Sequence, residues 1–228
     1  MSLELSPTYA ESEATADAAR IWTGRHATSA ALFEIRSPYL PRDVQPILDE
    51  DHDCIVGYYR RFANRSHVFD LNANMVAVWQ DRKKWPPPAK RDPVLVVGGD
   101  WGEGVHGATP ISLTGAGLAL TPTVLAHLRK VFGVLAQPTL LYREAALARM
   151  VDAHRYVPCH VLRLAIRYGE PSEPPYGLPR AARYLSRMLI RRQPYLLDLV
   201  TMNVNTTIVQ FDYWRYADNL PATGAAVA

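Results

Sequence analysis

Proline placement is the sequence feature that most limits how this chain can fold. The 228 residues include 18 prolines, and many of them separate short apolar segments. Because proline has no backbone N–H and clashes with the preceding helical turn, it ends helices and interrupts sheets. No apolar run between these breaks approaches the ~20 residues that a membrane-spanning helix needs. The chain is therefore predicted to build its core from many short elements, without insertion into a membrane.

The segments between the prolines predict an α+β protein. β-Branched, aromatic or alternating residues predict strands at 54–62, 75–79, 93–97, 159–168 and 206–216. Apolar spacing and start signals predict helices at 8–22, 121–136, 139–156 and 179–193, and the segment 28–35 fits either element. We expect a small, mostly antiparallel sheet with helices packed on one face, the helices being concentrated in the C-terminal half.

Length and composition fit one folded domain spanning 1–228. Hydrophobic residues make up 48% of the chain and charged residues 21%, which is ordinary for a globular protein. The Pro-rich loop 82–93 marks the place where the chain would divide if it formed two units. The residues predicted to form the core are Trp22, Phe33, Trp79, Leu125, Phe132, Leu147, Leu164, Leu189 and Phe211.

Charge and cysteine usage exclude some classes of protein. The net charge of +3 is too balanced for a chain whose whole surface binds nucleic acid. The two cysteines, Cys54 and Cys159, are too few for a secreted disulfide scaffold. The N-terminal segment is acidic and has no apolar stretch of the kind found in a secretory signal, so we expect an intracellular or virion protein whose compartment stays unknown.

A Gly-rich loop at 98–117 is the first candidate for chemistry. The stretch Gly102–Gly107 matches G-x-G-x-x-G after an apolar segment, but no helix pattern begins before Thr121. A dinucleotide site needs a helix N-terminus at that point, so we favour a tightly turning loop. The same loop carries Asp100, Glu103 and His106, which could perform acid–base chemistry or simply be solvated.

Two histidines and two cysteines form the second candidate. His52, Cys54, Cys159 and His160 are the ligand types of a structural zinc site, but their spacing differs from that of known zinc motifs. Adjacent residues of a strand, as predicted for Cys159 and His160, would point to opposite faces. The sequence therefore favours buried free thiols, and it indicates no metal or cofactor.

A row of arginines is the third candidate. On a helix at 179–193, Arg180, Arg183, Arg187 and Arg191 would share one stripe opposite an apolar side. Arginine is suited to bidentate contact with phosphate or carboxylate, so this stripe is a candidate contact face for an acidic partner or an anion. The alternative is a solvated face whose charges are balanced by carboxylates of the same chain.

These features lead to three functional hypotheses. The favoured one is a non-enzymatic structural subunit of a large multi-protein assembly, of the virus-particle or organellar-complex type. It rests on the Pro-punctuated extended segments, on Tyr, Trp and Arg residues typical of interface anchors, and on the lack of a catalytic motif. Its partners would be other protein subunits. The alternatives are an enzyme using the loop 98–117 and a nucleic-acid-binding module using the arginine stripe.

Overall fold

A computed structural model describes residues 18–24, 28–49, 51–62, 65–80, 111–113, 118–178 and 180–215. In these residues, strands that are mostly antiparallel combine with three helices of the second half, which confirms the α+β class. The helices are α1 (Pro122–Ala136), α2 (Glu144–Val151) and α3 (Cys159–Tyr168). The strands are β1 (Arg20–Ile21), β2 (Phe33–Glu34), β3 (Gln45–Asp49), β4 (Cys54–Phe62), β5 (Arg65–Asp70), β6 (Met75–Gln80), β7 (Ile111–Leu113), β8 (Leu118–Leu120), β9 (Leu141–Tyr142), β10 (Glu170–Ser172), β11 (Ala182–Ile190), β12 (Gln193–Met202) and β13 (Thr207–Arg215).

The strands fall into two large sheets and a hairpin. The N-terminal sheet is an antiparallel meander in the order β3-β4-β5-β6. The C-terminal sheet has the order β1-β9-β13-β12-β11-β10, and β2 pairs with the far end of β11. Only the short pairing of β13 with β9 is parallel among the described ladders. Strands β7 and β8 pair with each other as a two-stranded hairpin.

Helices α1 and α3 lie between the two large sheets. Helix α1 contacts β4 and β6 of the N-terminal sheet, and it also packs on α3. Helix α3 in turn contacts β11 and β12 of the C-terminal sheet. Side chains from both sheets and all three helices form one hydrophobic cluster, which includes Val68, Leu128, Leu162 and Leu197.

A glycine permits the close contact between α1 and the N-terminal sheet. A Cβ atom on Gly57 of β4 would lie 2.6 Å from the Phe69 carbonyl oxygen and 3.0 Å from Cδ2 of Leu128. Both distances are shorter than van der Waals contact, so a larger residue would push the helix and the sheet apart.

Most of the predicted core residues are buried. Phe33, Leu125, Phe132, Leu164 and Phe211 belong to the central cluster, and Trp22 and Leu147 pack against it. Leu189 is not part of this cluster, because it lies on the face of β11 that points away from the cluster. The side chain of Trp79 is outside the described part of the structure.

The strands at 54–62, 75–79 and 206–216 and the helix at 121–136 are confirmed as β4, β6, β13 and α1. The Thr121 hydroxyl accepts a hydrogen bond from the Val124 N–H, so the predicted capping signal starts α1. The segment 28–35 contains a short 3₁₀ helix, Ala30–Leu32, followed by β2.

Four predicted elements differ from the structure, and one of them, the helix at 179–193, is described with the candidate site. The segment 159–168 was predicted to be a strand but forms α3, in which the less buried Arg163 and Arg167 lie one turn apart. The predicted helix 139–156 is shortened to α2, because the N–H groups of Leu141 and Arg143 pair with carbonyls beside β13. The predicted helix 8–22 ends in strand β1, and its residues 8–17 are outside the described part. The predicted strand 93–97 and the loop 82–93 are also outside it.

A buried ion pair fixes α1 to the N-terminal sheet. The Asp49 carboxylate at the end of β3 is only 1% exposed, and it accepts hydrogen bonds from Nε and Nη2 of Arg129 at 2.6 and 2.9 Å. It also accepts from the Asp51 N–H at 3.1 Å and contacts His52 Nδ1 at 3.0 Å. Burial opposes ionisation of Asp49, but the hydrogen bonds and charge of Arg129 outweigh it, so its pKa is lowered.

Replacing this arginine should destabilise the protein. In Arg129→Met the Asp49 carboxylate stays buried without a counter-charge, so we expect the free energy of unfolding at pH 7 to fall by about 2–3 kcal/mol. Urea denaturation followed by circular dichroism measures this change. Lys130→Met, a change of an exposed neighbour on the same helix, is the matched control and should have little effect.

The destabilisation should also depend on pH. Because the pKa of Asp49 is lower in the folded than in the unfolded chain, its contribution is fully present above the unfolded value of about 4 and is lost as pH falls through the folded value. The difference between wild type and Arg129→Met should therefore narrow below about pH 4. A constant difference from neutral to acidic pH would contradict this role of the ion pair.

Candidate functional site

The predicted arginine helix is a β-strand, which changes the geometry of the candidate site. Residues 182–190 form β11, and the whole strand pairs with β12 in antiparallel register. Burial alternates along it with the two-residue period of a strand, since Ser186 and Met188 are buried and Arg187 between them is exposed. Pairing with β12 across a two-residue turn thus overrides the helical spacing of the arginines.

The two faces of the C-terminal sheet have different environments. On the inner face, Met188, Leu197 and Phe211 belong to the same hydrophobic cluster as the buried side chains of α2 and α3. The outer face is formed by the alternate residues of β11, β12 and β13. Directly opposed residues share a face, which places Arg187, Leu196 and Trp214 in one row across the three strands.

The outer face has a half-buried apolar centre beside this row. Leu189 pairs with Pro194 next to Leu196, and all three are partly accessible to water. Trp214 is 45% exposed at the end of the row. None of these side chains belongs to the hydrophobic cluster or to the apolar residues that pack against it. They form an apolar surface that the described helices do not cover.

The structure separates the four predicted arginines. Arg183 lies on the outer face, where its Nε and Nη2 donate to the two oxygens of Asp198 at 2.9 and 2.7 Å. Arg187 is exposed on the same face, Arg191 is in the turn after β11, and Arg180 precedes the strand. The predicted single stripe is therefore wrong, because a helix would align residues that this strand and its turn spread out.

The Arg183–Asp198 pair compensates an otherwise unfavourable contact between strands. Asp198 and Asp212 are directly opposite each other on β12 and β13, a position in which like charges repel. Arg183 neutralises Asp198, and Asp212 has Arg149 Nη1 at 3.0 Å and Arg155 Nη1 at 3.4 Å. This part of the outer face is balanced in charge.

The end of the face around the β11–β12 turn is not balanced. Arg191 and Arg192 form the turn and are exposed, as is Arg187 on β11. We call these three residues the arginine rim. Arg215 at the end of β13 pairs with Tyr195 and therefore lies on the inner face, where it donates to the Gln193 side chain at 2.9 Å. In the part of the chain that the structure describes, no carboxylate lies within ion-pair distance of the three rim guanidinium groups.

The turn itself adopts a conformation that does not suit its residues. Arg191 and Arg192 both have positive φ angles, of 50° and 64°. Two-residue hairpin turns with this geometry favour Asn-Gly, because a side chain at positive φ costs roughly 1 kcal/mol or more. The Arg191 N–H donates to the Leu32 carbonyl at 2.9 Å, which helps to hold the turn. The backbone of the turn is therefore strained, and the side chains of both arginines are exposed to solvent.

Sequence reasoning missed Arg192 and Trp214. The strand prediction at 206–216 already contained Trp214, but it did not show which face this residue occupied. The alternation Arg183-x-Leu185-x-Arg187-x-Leu189, with a second apolar run shortly after Arg191-Arg192, is the pattern of a hairpin. Pro194 obscured it, since proline after an apolar segment also ends a helix.

The histidine–cysteine candidate does not form a shared site. Both cysteines are free and buried. His52 contacts Asp49, and the Phe132 ring lies against both histidines, with ring centroids 6.3 Å from His52 and 5.0 Å from His160. The described residues contain no group of three or more His, Cys, Asp or Glu side chains placed to hold a metal. The Gly-rich residues 98–110, with Asp100, Glu103 and His106, are outside the described part of the structure.

Comparisons with protein-family models, with curated proteins and with solved structures found no match for this chain. Among the described residues, no helix is both long and apolar enough to span a membrane.

The buried thiols should be unreactive in the folded protein. Cys54 is fully buried, and desolvation together with the nearby Asp49 and Asp53 raises its pKa to about 12, while Cys159 is 7% exposed. Since only the thiolate attacks a disulfide reagent, we expect almost no reaction with Ellman's reagent at pH 8 in the native state. In urea both thiols should react. Rapid native labelling of Cys54 would contradict its burial.

Proposed function

We propose that the chain is a non-enzymatic structural subunit of a multi-protein assembly, and that the outer face of its C-terminal sheet docks on a protein partner. The observation that carries the proposal is the row Arg187, Leu196 and Trp214 on the outer face. Its apolar members are accessible to water, and the arginine rim beside them has no carboxylate partner among the described residues. The partner surface would present an apolar patch surrounded by Asp and Glu side chains.

The composition of this face supports a protein partner. Trp and Arg are the residues whose truncation most often weakens protein interfaces, and they act best beside apolar contacts that exclude water. Trp214 is an anchor of this kind, with Leu196 and Leu189 next to it. Single-stranded nucleic acid also binds aromatic and basic residues, but it favours a basic track along the backbone. Here the charge is confined to one end of the face, and the rest is apolar or neutralised.

The charge of the rim supports an acidic partner. Three guanidinium groups at one edge attract carboxylates and accelerate association, particularly at low ionic strength. The backbone geometry of the turn adds to this argument. Asn-Gly would suit the turn better than Arg191-Arg192, so the arginines contribute something other than stability.

The carboxylates of the core support a structural role. Asp49 is held by Arg129, and Asp70 accepts hydrogen bonds from the N–H groups of Asn72 and Asn74. Glu34 carries the third buried carboxylate, which pairs with the guanidinium group of Arg36. Each acidic group therefore has a partner that fixes local structure.

The proposal can be tested by site-specific photo-crosslinking in the cells that produce the chain. A benzophenone amino acid at position 196 should crosslink to a protein, and the crosslinked peptide should be rich in Asp or Glu. The same group at position 176, where the native tyrosine is fully exposed on another surface, is the control and should give little product. Equal labelling at both positions, or crosslinks to nucleic acid alone, would contradict the proposal.

A variant of the turn separates binding from folding. In Arg191→Asn/Arg192→Gly the turn gains its preferred residues, so the free energy of unfolding should rise by about 1 kcal/mol. The same change removes two rim charges, so crosslinking from position 196 should fall about tenfold at low salt. Lys130→Asn, which removes an exposed charge from α1, should leave crosslinking unchanged.

The nucleic-acid alternative is tested with the same variant. Fluorescence anisotropy with a labelled single-stranded oligonucleotide should show weak binding that is insensitive to the turn variant. Tight, salt-dependent binding that Arg191→Asn/Arg192→Gly abolishes would show that this face binds nucleic acid. That result would overturn the proposed protein contact.

A further inference from the structure

An open cleft lies away from the C-terminal sheet's outer face, at the C-terminal end of α3. Its volume is about 650 Å³, within the range of small-molecule sites. Three segments line it: Pro38 and Tyr39, the β5–β6 turn with Asn72 and Asn74, and the end of α3 from Arg167 to Gly169. The proposed assembly contact involves none of these residues.

The β5–β6 turn is held rigidly by a buried carboxylate. Asp70 is 1% exposed, and its Oδ1 accepts from the N–H groups of Asn72 and Asn74, each at 2.9 Å. Its Oδ2 accepts from Asn74 Nδ2 at 3.1 Å and contacts His127 Nε2 at 3.4 Å. Because Asn74 Nδ2 donates to Asp70, the Asn74 amide is oriented with its nitrogen toward the carboxylate. The Oδ1 atom of Asn74 is then left as an acceptor.

The second asparagine is oriented by Arg167. The guanidinium group donates to Asn72 Oδ1 in a short contact. The Asn72 amide therefore has its Nδ2 available as a donor, and Arg167 has further N–H donors. Among the described residues, Arg167 makes no ion pair with a carboxylate. The cleft thus combines fixed donors with a fixed acceptor before any ligand arrives, a preorganisation that lowers the entropic cost of binding.

Aromatic rings and the helix end add two further properties. Tyr39 is 82% exposed at the rim of the cleft, and Tyr168 lines it from α3. The C-terminal end of a helix carries partial negative charge, which opposes anions and suits hydroxyl donors. Gly169 permits close packing at this end of α3, since a Cβ atom there would lie 2.5 Å from both the Ala165 carbonyl oxygen and Ser186 Oγ.

We infer that this cleft binds a neutral saccharide. Sugar hydroxyls both donate and accept, which matches the amide groups of Asn72 and Asn74, the N–H donors of Arg167 and the carbonyls at the end of α3. The C–H face of a pyranose ring packs on an aromatic ring such as that of Tyr39. A phosphate or carboxylate fits less well, because Arg167 is the only cation among the lining residues and the helix dipole opposes an anion.

The inference can be tested by nuclear magnetic resonance on the full chain. The neutral probes are glucose, galactose, mannose, N-acetylglucosamine, cellobiose and N,N′-diacetylchitobiose, and glucose 6-phosphate is the anionic probe. Saturation-transfer spectra should identify at least one neutral sugar that binds with a dissociation constant on the order of 1 mM. Its titration should shift the amide signals of Asn72, Asn74 and Gly169. Binding of glucose 6-phosphate alone would overturn the neutral assignment.

Variants locate the binding in the cleft. Tyr39→Ala changes an exposed side chain and should weaken binding at least fivefold without affecting the fold, and Asn72→Ala should weaken it further. Tyr176→Ala removes an equally exposed tyrosine outside the cleft and should leave binding unchanged. Absence of binding to every neutral sugar, or binding that both tyrosine variants reduce equally, would refute the inference. Neither result would affect the proposed assembly contact, which rests on other residues.

Discussion

Burial of one shared helical layer is the constraint on which the rest of the structure depends. Helices α1 and α3 pack on each other and separate the two large sheets, so each sheet has an inner face fixed by the same cluster. This arrangement determines which side of β11, β12 and β13 faces outward. Arg187, Leu196 and Trp214 share the outer face because their neighbours Met188, Leu197 and Tyr213 occupy the inner one.

Buried or half-buried carboxylates fix the parts of this framework that hydrophobic contacts leave adjustable. Asp49 joins α1 to the end of β3, and Asp70 shapes the β5–β6 turn. Asp198, with its arginine partner, permits two aspartates to stand opposite each other in the C-terminal sheet. Asp49 and Asp198 pair with arginines of other elements, whereas Asp70 accepts hydrogen bonds from its own turn. Each arrangement specifies geometry more than it adds stability. The arginine rim differs from these charged groups, because no carboxylate among the described residues pairs with its guanidinium groups.

The sequence predicted elements that their own residues mark and failed where pairing with another strand decides. Thr121-Pro122 marked the start of α1, and β-branched and aromatic residues marked β4 and β13. Residues 182–190 have apolar positions that fit either a helix or a strand, and pairing with β12 resolves the ambiguity. The arginines of this segment were therefore recognised as candidates, but their arrangement was wrong. Trp214 lies beside Arg187 and Leu196 only because β12 pairs with both β11 and β13.

The most direct test of the account is hydroxyl-radical footprinting of the chain, first alone and then in the assembly purified from its source through a tag on the chain. Mass spectrometry would compare the oxidation of Trp214, on the outer face, with that of Tyr176, on a different surface. We expect Trp214 to be oxidised in the isolated chain and protected in the assembly, and Tyr176 to be oxidised in both. Equal oxidation of Trp214 in the two states would show that the outer face is not the contact surface.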